Sequence, residues 1–293
     1  MQLLTIDIGG TSIKFALCQD GQLSQQVQFP TPDNLESFYE LLDQQVKNFK
    51  AKFPIEGVGI SSPGAVNKET GVIEGASALP YIHNFPIQKQ LEHLFQLPIS
   101  IENDANCAAL AENAMGAGKG SSSMATIVMG TGVGGSLVLN GKIHHGAHLF
   151  GGEFGFMVMD KDYHILSELG TVVNMAKRYS QTKNDGKNYT GIEVLGLAQA
   201  GDELAIAEKQ IFIRAIAMAI YNIQHTFDPE MILLGGGVSQ ADFLLPTLEA
   251  ELDKIYQAVK ISNIRPKLGI CQFKQEANLL GAAIDFLSTG EEH

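Results

Sequence analysis

The chain has 293 residues, enough for two ordinary domains or one large one, and its 45% hydrophobic and 18% charged content fits a globular protein. A formal net charge of −12 leaves no basic stripe to neutralise a nucleic-acid backbone, so no nucleic-acid partner is expected. It does not exclude a nucleotide held locally by backbone amides and a divalent cation. Three widely spaced cysteines, Cys18, Cys107 and Cys271, exclude a disulfide framework and make a reducing, cytoplasmic setting the expectation. The first strand begins almost at once, without a charged n-region or cleavage site, so no secretory leader is expected. Ile211 to Ile223, the most apolar long segment, carries Arg214 and is too short to span a bilayer, so no membrane partner is expected.

In chain order, residues 3–8 and 13–18 predict two strands joined by the Gly9-Gly10 turn. The helical spacing of Leu35, Phe38, Leu41, Leu42 and Val46, behind Thr31-Pro32-Asp33, predicts a helix over 33–50. A short strand over 57–60 is stopped by Ser61-Ser62-Pro63-Gly64. A helix over 86–95, a strand over 98–101 and an Ala-rich helix from Asp104 to near Gly116 follow. Gly116 to Ser123 is the clearest composition shift, and the domain junction is placed there, between 1–117 and 118–276. The second half opens on another strand, turn and strand, then passes an irregular Gly-rich stretch over 146–155 and a polar loop over 181–188. A long helix over about 204–227 ends at Asp228-Pro229. A buried strand over 231–234 breaks at Gly235-Gly236-Gly237, and a helix is expected from Ser239 onward. The last helix, about 276–287, contains Gly281-Ala282-Ala283, small residues suited to close packing. Strands alternating with helices define an α/β class, and the opening hairpin makes the sheets mixed.

Two segments about 120 residues apart are near copies, and such self-similarity points to related domains. Thr5-Ile6-Asp7-Ile8-Gly9-Gly10-Thr11 runs into an apolar strand, and so does Thr126-Ile127-Val128-Met129-Gly130-Thr131-Gly132. Each turn offers glycines, a threonine hydroxyl and backbone N–H groups, which is what a polyphosphate needs. Asp7 at a strand end suits a magnesium ion held through water, although a plain hairpin turn also accommodates it. Asp104, where a strand passes into a helix, reads either as an N-cap or as an ionised base for a bound hydroxyl. Gly235-Gly236-Gly237 allows close approach of a flat ligand or simply a tight strand-to-helix connection. Glu153, inside Gly151-Gly152-Glu153-Phe154-Gly155, could bind sugar hydroxyls or sit in a surface turn. His144, His145 and His148 lack a partner cysteine or carboxylate at ligand spacing and read as a solvated loop.

These phrases, in this order, resemble the ROK family of sugar kinases and sugar-responsive repressors. The resemblance covers essentially the whole chain. It rests on Asp7-Ile-Gly-Gly-Thr11, Ser61-Ser-Pro-Gly64, Glu102-Asn-Asp-Ala-Asn-Cys107, Gly130-Thr-Gly-Val-Gly-Gly135, Gly152-Glu-Phe-Gly155 and Asp228-Pro-Glu-Met-Ile-Leu-Leu-Gly-Gly-Gly237. It implies two ribonuclease-H-like domains of the actin-like ATPase kind, with mixed sheets flanked by helices and a cleft between them. A C-terminal helix, 277–293, would pack back on the first domain. ATP and magnesium are the implied cofactors. Asp7, Gly9, Gly10, Thr11, Lys14, Gly130, Thr131, Gly132 and Gly134 would hold the phosphates and metal, with Gly236 and Gly237 against the adenosine. Gly64, Asn103, Asp104 and Glu153 would bind the sugar, with Asp104 as catalytic base, and a homodimer is the implied assembly.

The departures bear on specificity. The family commonly places a His after the Gly-Glu-x-Gly phrase and then a cysteine cluster, which together bind zinc. Here Phe156 takes the His position and no cysteine lies between Cys107 and Cys271, so no zinc site is expected. Val173 stands where the family usually has a sugar-binding Glu. This pattern resembles the family's β-glucoside kinases most, and the expected activity is transfer of the ATP γ-phosphoryl group to the 6-hydroxyl of glucose or a β-glucoside. N-acetylmannosamine or another hexose is the alternative acceptor, and a non-catalytic sugar sensor the rival class. The family's repressors carry a helix-turn-helix ahead of the first glycine turn, and with Asp7 so near the start of the sequence none is expected here.

Overall fold

β1 (Gln2–Ile8) returns antiparallel as β2 (Ser12–Gln19), which sets Asp7 opposite Lys14 and Ile8 opposite Ile13. The computed structural model describes residues 1–262 and 264–289. β3 (Gln22–Pro30) extends the edge, antiparallel to β2. Its glutamine-rich, mostly exposed side chains carry no alternation, so nothing in its pattern predicts a strand, and the pairing with β2 holds it there. After α1 (Leu35–Lys50), β4 (Gly57–Ser62) joins parallel to β1. A small hairpin, β5 (Ala65–Asn67) and β6 (Val72–Glu74), precedes α2 (Ile87–Phe95) and β7 (Ile99–Asn103), which lies parallel to β4. The sheet order is β3-β2-β1-β4-β7, and α3 (Asp104–Ala114) leaves directly from β7.

β8 (Ser123–Met129), β9 (Val133–Leu139) and β10 (Lys142–Ile143) repeat the antiparallel meander. Four helices follow: α4 (Leu166–Leu169), α5 (Val172–Lys183), α6 (Gly191–Gln199) and α7 (Glu203–Phe227). β11 (Met231–Gly235) then pairs parallel with β8, and after α8 (Leu244–Val259) the short β12 (Leu268–Ile270) pairs parallel with β11. The order β10-β9-β8-β11-β12, with its strand directions, repeats the first sheet, so the sequence duplication is also one of topology. Both sheets are mixed and ribonuclease-H-like, with helices as their crossovers. The helix expected from Ser239 begins later: Gly237–Gln240 is a 3₁₀ turn and α8 starts at Leu244. α9 (Ala277–Thr289) ends the described chain, and residues 290–293 of the expected terminal helix lie outside it.

The chain divides into two units with separate cores. Unit one holds Met1–Lys119, His145–Gly151 and the described residues from Phe273 on; unit two holds Gly120–His144 and Gly152–Gln272. The assignment of His145–Gly151 to unit one departs from the undivided block 118–276, because His145 Nε2 meets the buried Glu102 carboxylate at 2.8 Å. Ile6, Phe15, Phe38, Leu42, Ile60 and Ile101 are among the core residues of unit one. Ile127, Phe212, Ile216, Ile220 and Leu234 serve unit two. α9 lies against β1, β4, β7 and α3, so the last described helix closes the first sheet. That seat depends on missing side chains: a Cβ on Gly59 would strike the Ala282 backbone, and one on Gly281 would strike the Cys107 carbonyl. No helix among the described residues is long and apolar enough to cross a membrane.

Candidate active site

In unit one, the ends of three parallel strands bring the polar residues to one level. Register places Asp7 beside Ser61, Ser61 beside Glu102, and Ser62 beside Asn103. Asp7 is 6% exposed. Its Oδ1 accepts from Ser61 Oγ at 3.1 Å and Asn278 Nδ2 at 3.0 Å, and its Oδ2 from Lys14 Nζ at 3.2 Å. Asn278 is a support of Asp7 that sequence reasoning misses, because it sits on α9, far along the chain, with no motif around it. The turn itself is fixed by Gly9 N–H donating to Ser12 O at 3.0 Å and Thr31 Oγ1 donating to Gly9 O at 2.6 Å. Gly10 and Thr11 remain exposed at its tip. A carboxylate has about four lone-pair positions. Three are engaged here, so Asp7 fits a magnesium-bound water better than direct ligation.

Asn103, not Asp104, caps α3. Its Oδ1 accepts from the Ala105 and Asn106 N–H groups at 2.9 and 3.2 Å, and its Nδ2 donates to Gly64 O at 3.0 Å. Gly64 and Asn103 are thereby joined. Asp104 occupies the first helical position, partly buried, with Oδ1 accepting from Ala105 N–H at 2.8 Å. The expected balance of forces on it is also corrected. Burial pushes its carboxyl above the ordinary aspartate value and the nearby charge of Asp7 adds to this, while the Ala105 amide offsets only part. The amide and helix dipole alone would have kept it low.

Unit two carries the second glycine set. Its hairpin turn is one residue shorter than the first: Met129 pairs with Val133, against Ile8 with Ile13. Val128 holds the place of Asp7, so only the first copy has the carboxylate. Ser167 Oγ accepts from Val133 N–H at 3.0 Å and steadies the turn, on which Gly130 and Thr131 are exposed. Gly236 has φ +90° and lies against the Met129 carbonyl, where no Cβ fits, so the Gly236-Gly237 segment abuts the Gly130-Thr131-Gly132 turn. A Cβ on Gly134 or Gly237 would meet no protein atom, so at both positions the protein leaves space that a ligand can use. Glu153 is exposed at the head of the 3₁₀ turn Phe154–Phe156, which packs through Gly152 on β9. Phe156 is 62% exposed and Val173 lies in the first turn of α5. No group of three or more His, Cys, Asp or Glu side chains among the described residues could hold a metal ion. Metal analysis of the purified protein is expected to find zinc far below one per chain; stoichiometric zinc would overturn the reading of Phe156.

The predicted residues thus fall into two sets. Asp7, Gly9, Gly10, Thr11, Lys14, Gly64, Asn103 and Asp104 lie in unit one. Gly130, Thr131, Gly132, Gly134, Glu153, Gly236 and Gly237 lie in unit two. His145, read from sequence as part of a solvated loop, is instead bonded to Glu102. Neither His145 nor its neighbours His144 and His148 give a sequence signal for a partner on β7.

A duplicated ribonuclease-H-like fold with a glycine turn in each copy and a carboxylate at a helix head is the frame of the actin-like sugar kinases. Residues 3–288 match the ROK family, and the chain belongs to it. It is 31% identical to a beta-glucoside kinase of Listeria monocytogenes, over 100% of both chains. It is 30% identical to an N-acetyl-D-glucosamine kinase of Mannheimia succiniciproducens, over 98% of this chain and 99% of the other. The crystal structure of a ROK family protein from Streptococcus pneumoniae in complex with sucrose superposes with a TM-score of 0.90, at 35% identity over 100% of both chains.

Proposed function

We propose that the chain is an ATP-dependent sugar kinase that transfers the γ-phosphoryl group to the 6-hydroxyl of a glucose-like unit, with β-glucosides as acceptors. The observation that carries the reading is Asp104: a partly buried carboxylate of raised basicity, at the head of α3, beside the Asn103–Gly64 pair. Phosphoryl transfer asks little covalent chemistry of a protein and mainly needs alignment and charge neutralisation. Asp104 would accept the proton from the sugar hydroxyl as phosphorus is attacked, and Asn103 and Glu153 would hold neighbouring hydroxyls. The exposed amides at Gly10, Thr11, Gly130 and Thr131 would steady the phosphates, and Gly236 and Gly237 the adenosine. Magnesium, held near Asp7 through water, would neutralise phosphate charge. Lys14 pairs with Asp7 at 3.2 Å from across the hairpin and orients it. A β-glucoside acceptor is supported by the apolar Phe156 and Val173 in positions that are polar elsewhere in the family, and by the beta-glucoside kinase similarity. The same reading places a homodimer in the cytoplasm.

The deciding experiment is a coupled ADP-release assay across glucose, N-acetylhexosamines and β-linked disaccharides. Turnover restricted to N-acetylhexosamines would replace the acceptor. Sugar binding without any ADP release would replace the kinase by a sensor.

The raised Asp104 also sets a pH dependence. A base acts only as the carboxylate, so activity is present above its pKa and lost as pH falls through it. Because that pKa is raised, the acid limb of kcat/KM for sugar is expected above the ordinary aspartate range of about 3.9. A profile flat down to that range would refute the assignment.

A further inference from the structure

We propose that His145 is a positioning residue for the Asp104 turn, acting through the buried carboxylate of Glu102. Its catalytic consequence rests on the kinase reading above; its structural part does not. Glu102 is the penultimate residue of β7 and is 1% exposed. Its Oε1 accepts from the Asn103 backbone N–H at 2.7 Å and from Asn106 Nδ2 at 3.0 Å, so one oxygen grips the chain on both sides of Asp104. Its Oε2 faces His145 Nε2 at 2.8 Å and Lys68 Nζ at 3.9 Å. Lys68 is committed elsewhere: it donates to Asp285 Oδ2 at 2.6 Å and to Ile101 O at 2.8 Å. Asp285, buried on α9, also accepts from Ser100 Oγ. The short-range donor to Oε2 is therefore the imidazole.

Burial pushes the Glu102 carboxyl up, but the His145 hydrogen bond, the Lys68 charge and the Asn106 amide outweigh it and hold the group below the ordinary glutamate value. An ionised, buried carboxylate cannot lose a donor without rearranging. With the imidazole gone, the net pull comes from Lys68 on the Oε2 side. The carboxylate then turns toward it, and Oε1 comes off Asn103 and Asn106. The first turn of α3 keeps the Asn103 side-chain cap and the Ala105 amide on Asp104, but the chain on either side of Asp104 loses its common anchor and the carboxylate its fixed aim. A misplacement of about 1 Å costs a reacting group roughly 10²-fold.

The test compares wild type with His145→Ala and His145→Gln, whose amide reaches the place of Nε2. His145→Ala is expected to lower kcat about 10- to 100-fold with KM for ATP within about twofold. Hydrogen exchange at the amides of Asn103 to Asn106 should quicken about tenfold or more, while the core amides of Leu4 and Ile6 keep their protection. His145→Gln should return both readouts to within about threefold of wild type, whereas His145→Leu, of similar volume but without a donor, should behave as His145→Ala; rescue by Leu would show a merely space-filling imidazole and overturn the proposal. Unchanged exchange at Asn103 to Asn106 in His145→Ala overturns the proposal, as does loss of protection spread evenly over unit one. Local loss of protection with wild-type kcat overturns the catalytic part. A wild-type chain that releases no ADP with any sugar sinks the kinase reading alone, and the exchange pattern then decides the positioning role.

Discussion

Replacing Asp104 by Asn is expected to lower kcat by about 10²–10⁴, the range a positioned general base contributes. The substitution removes the proton acceptor and little else. An Asn Oδ1 can still accept from Ala105 N–H, the cap is supplied by Asn103, and α3 keeps its start. ATP affinity should therefore survive, since the proposed nucleotide residues lie on other turns. Equilibrium binding of a non-hydrolysable ATP analogue, measured beside steady-state kinetics, separates the two effects. Turnover within a few-fold of wild type would remove Asp104 from the mechanism. Parallel loss of nucleotide binding would show that the side chain shapes more than the acceptor site.

Gly281→Ala should have the largest effect on stability. A Cβ there falls far inside contact distance of the Cys107 carbonyl, and the obstacle is backbone, which cannot swing aside as a side chain would. α9 must move away from α3, against its seat on Gly59 of β4. Overpacking of this kind costs about 1–3 kcal/mol, or roughly 2–5 °C in Tm for a protein of this size. The matched control is Gly196→Ala in the middle of α6, where a Cβ meets nothing and alanine is the better helix former, so Tm should hold or rise slightly. α9 also carries Asn278, which holds Asp7, and Asp285, which holds Lys68. Gly281→Ala should therefore lose activity below its melting range as well. An unchanged Tm would show that α9 is not packed on α3 as described.

Much of the first sheet is legible in the sequence because its strands are buried and announce themselves by composition. β1 and β2 are largely apolar runs, and the shorter β4 and β7 place Val58, Ile60, Ile99 and Ile101 in the core and end at polar residues. β3 is not legible, since an exposed edge strand has no core face to pattern it. α5 and α6 are harder to read: α5 is polar apart from its stripe of Val172, Met175, Ala176 and Tyr179, and α6 is only nine residues long and carries Gly191 and Gly196; both dock on α7. At the site, the glycine turns and the Asn103-Asp104 pair are readable because a local phrase holds them. Their supports are not: Asn278, Lys68, Asp285 and His145 reach the site from distant segments, and each is an ordinary residue in its own neighbourhood. The direction of the Asp104 shift was hidden for the same reason. A helix start can be read locally, but the depth of burial and the approach of Asp7 depend on the assembled sheet.

The seating of α9 has a bearing on synthesis. Residues up to Lys119 leave the ribosome first, yet the helix that closes their sheet emerges about 150 residues later. At about 5–20 residues per second, the nascent first half waits roughly 8–30 s with the glycine-lined face of β4 uncovered and Asp7 short of one donor. A chain arrested before Ala277 should thus be open to proteases and chaperones at that face. Only the finished polypeptide carries both the wall and its last stone.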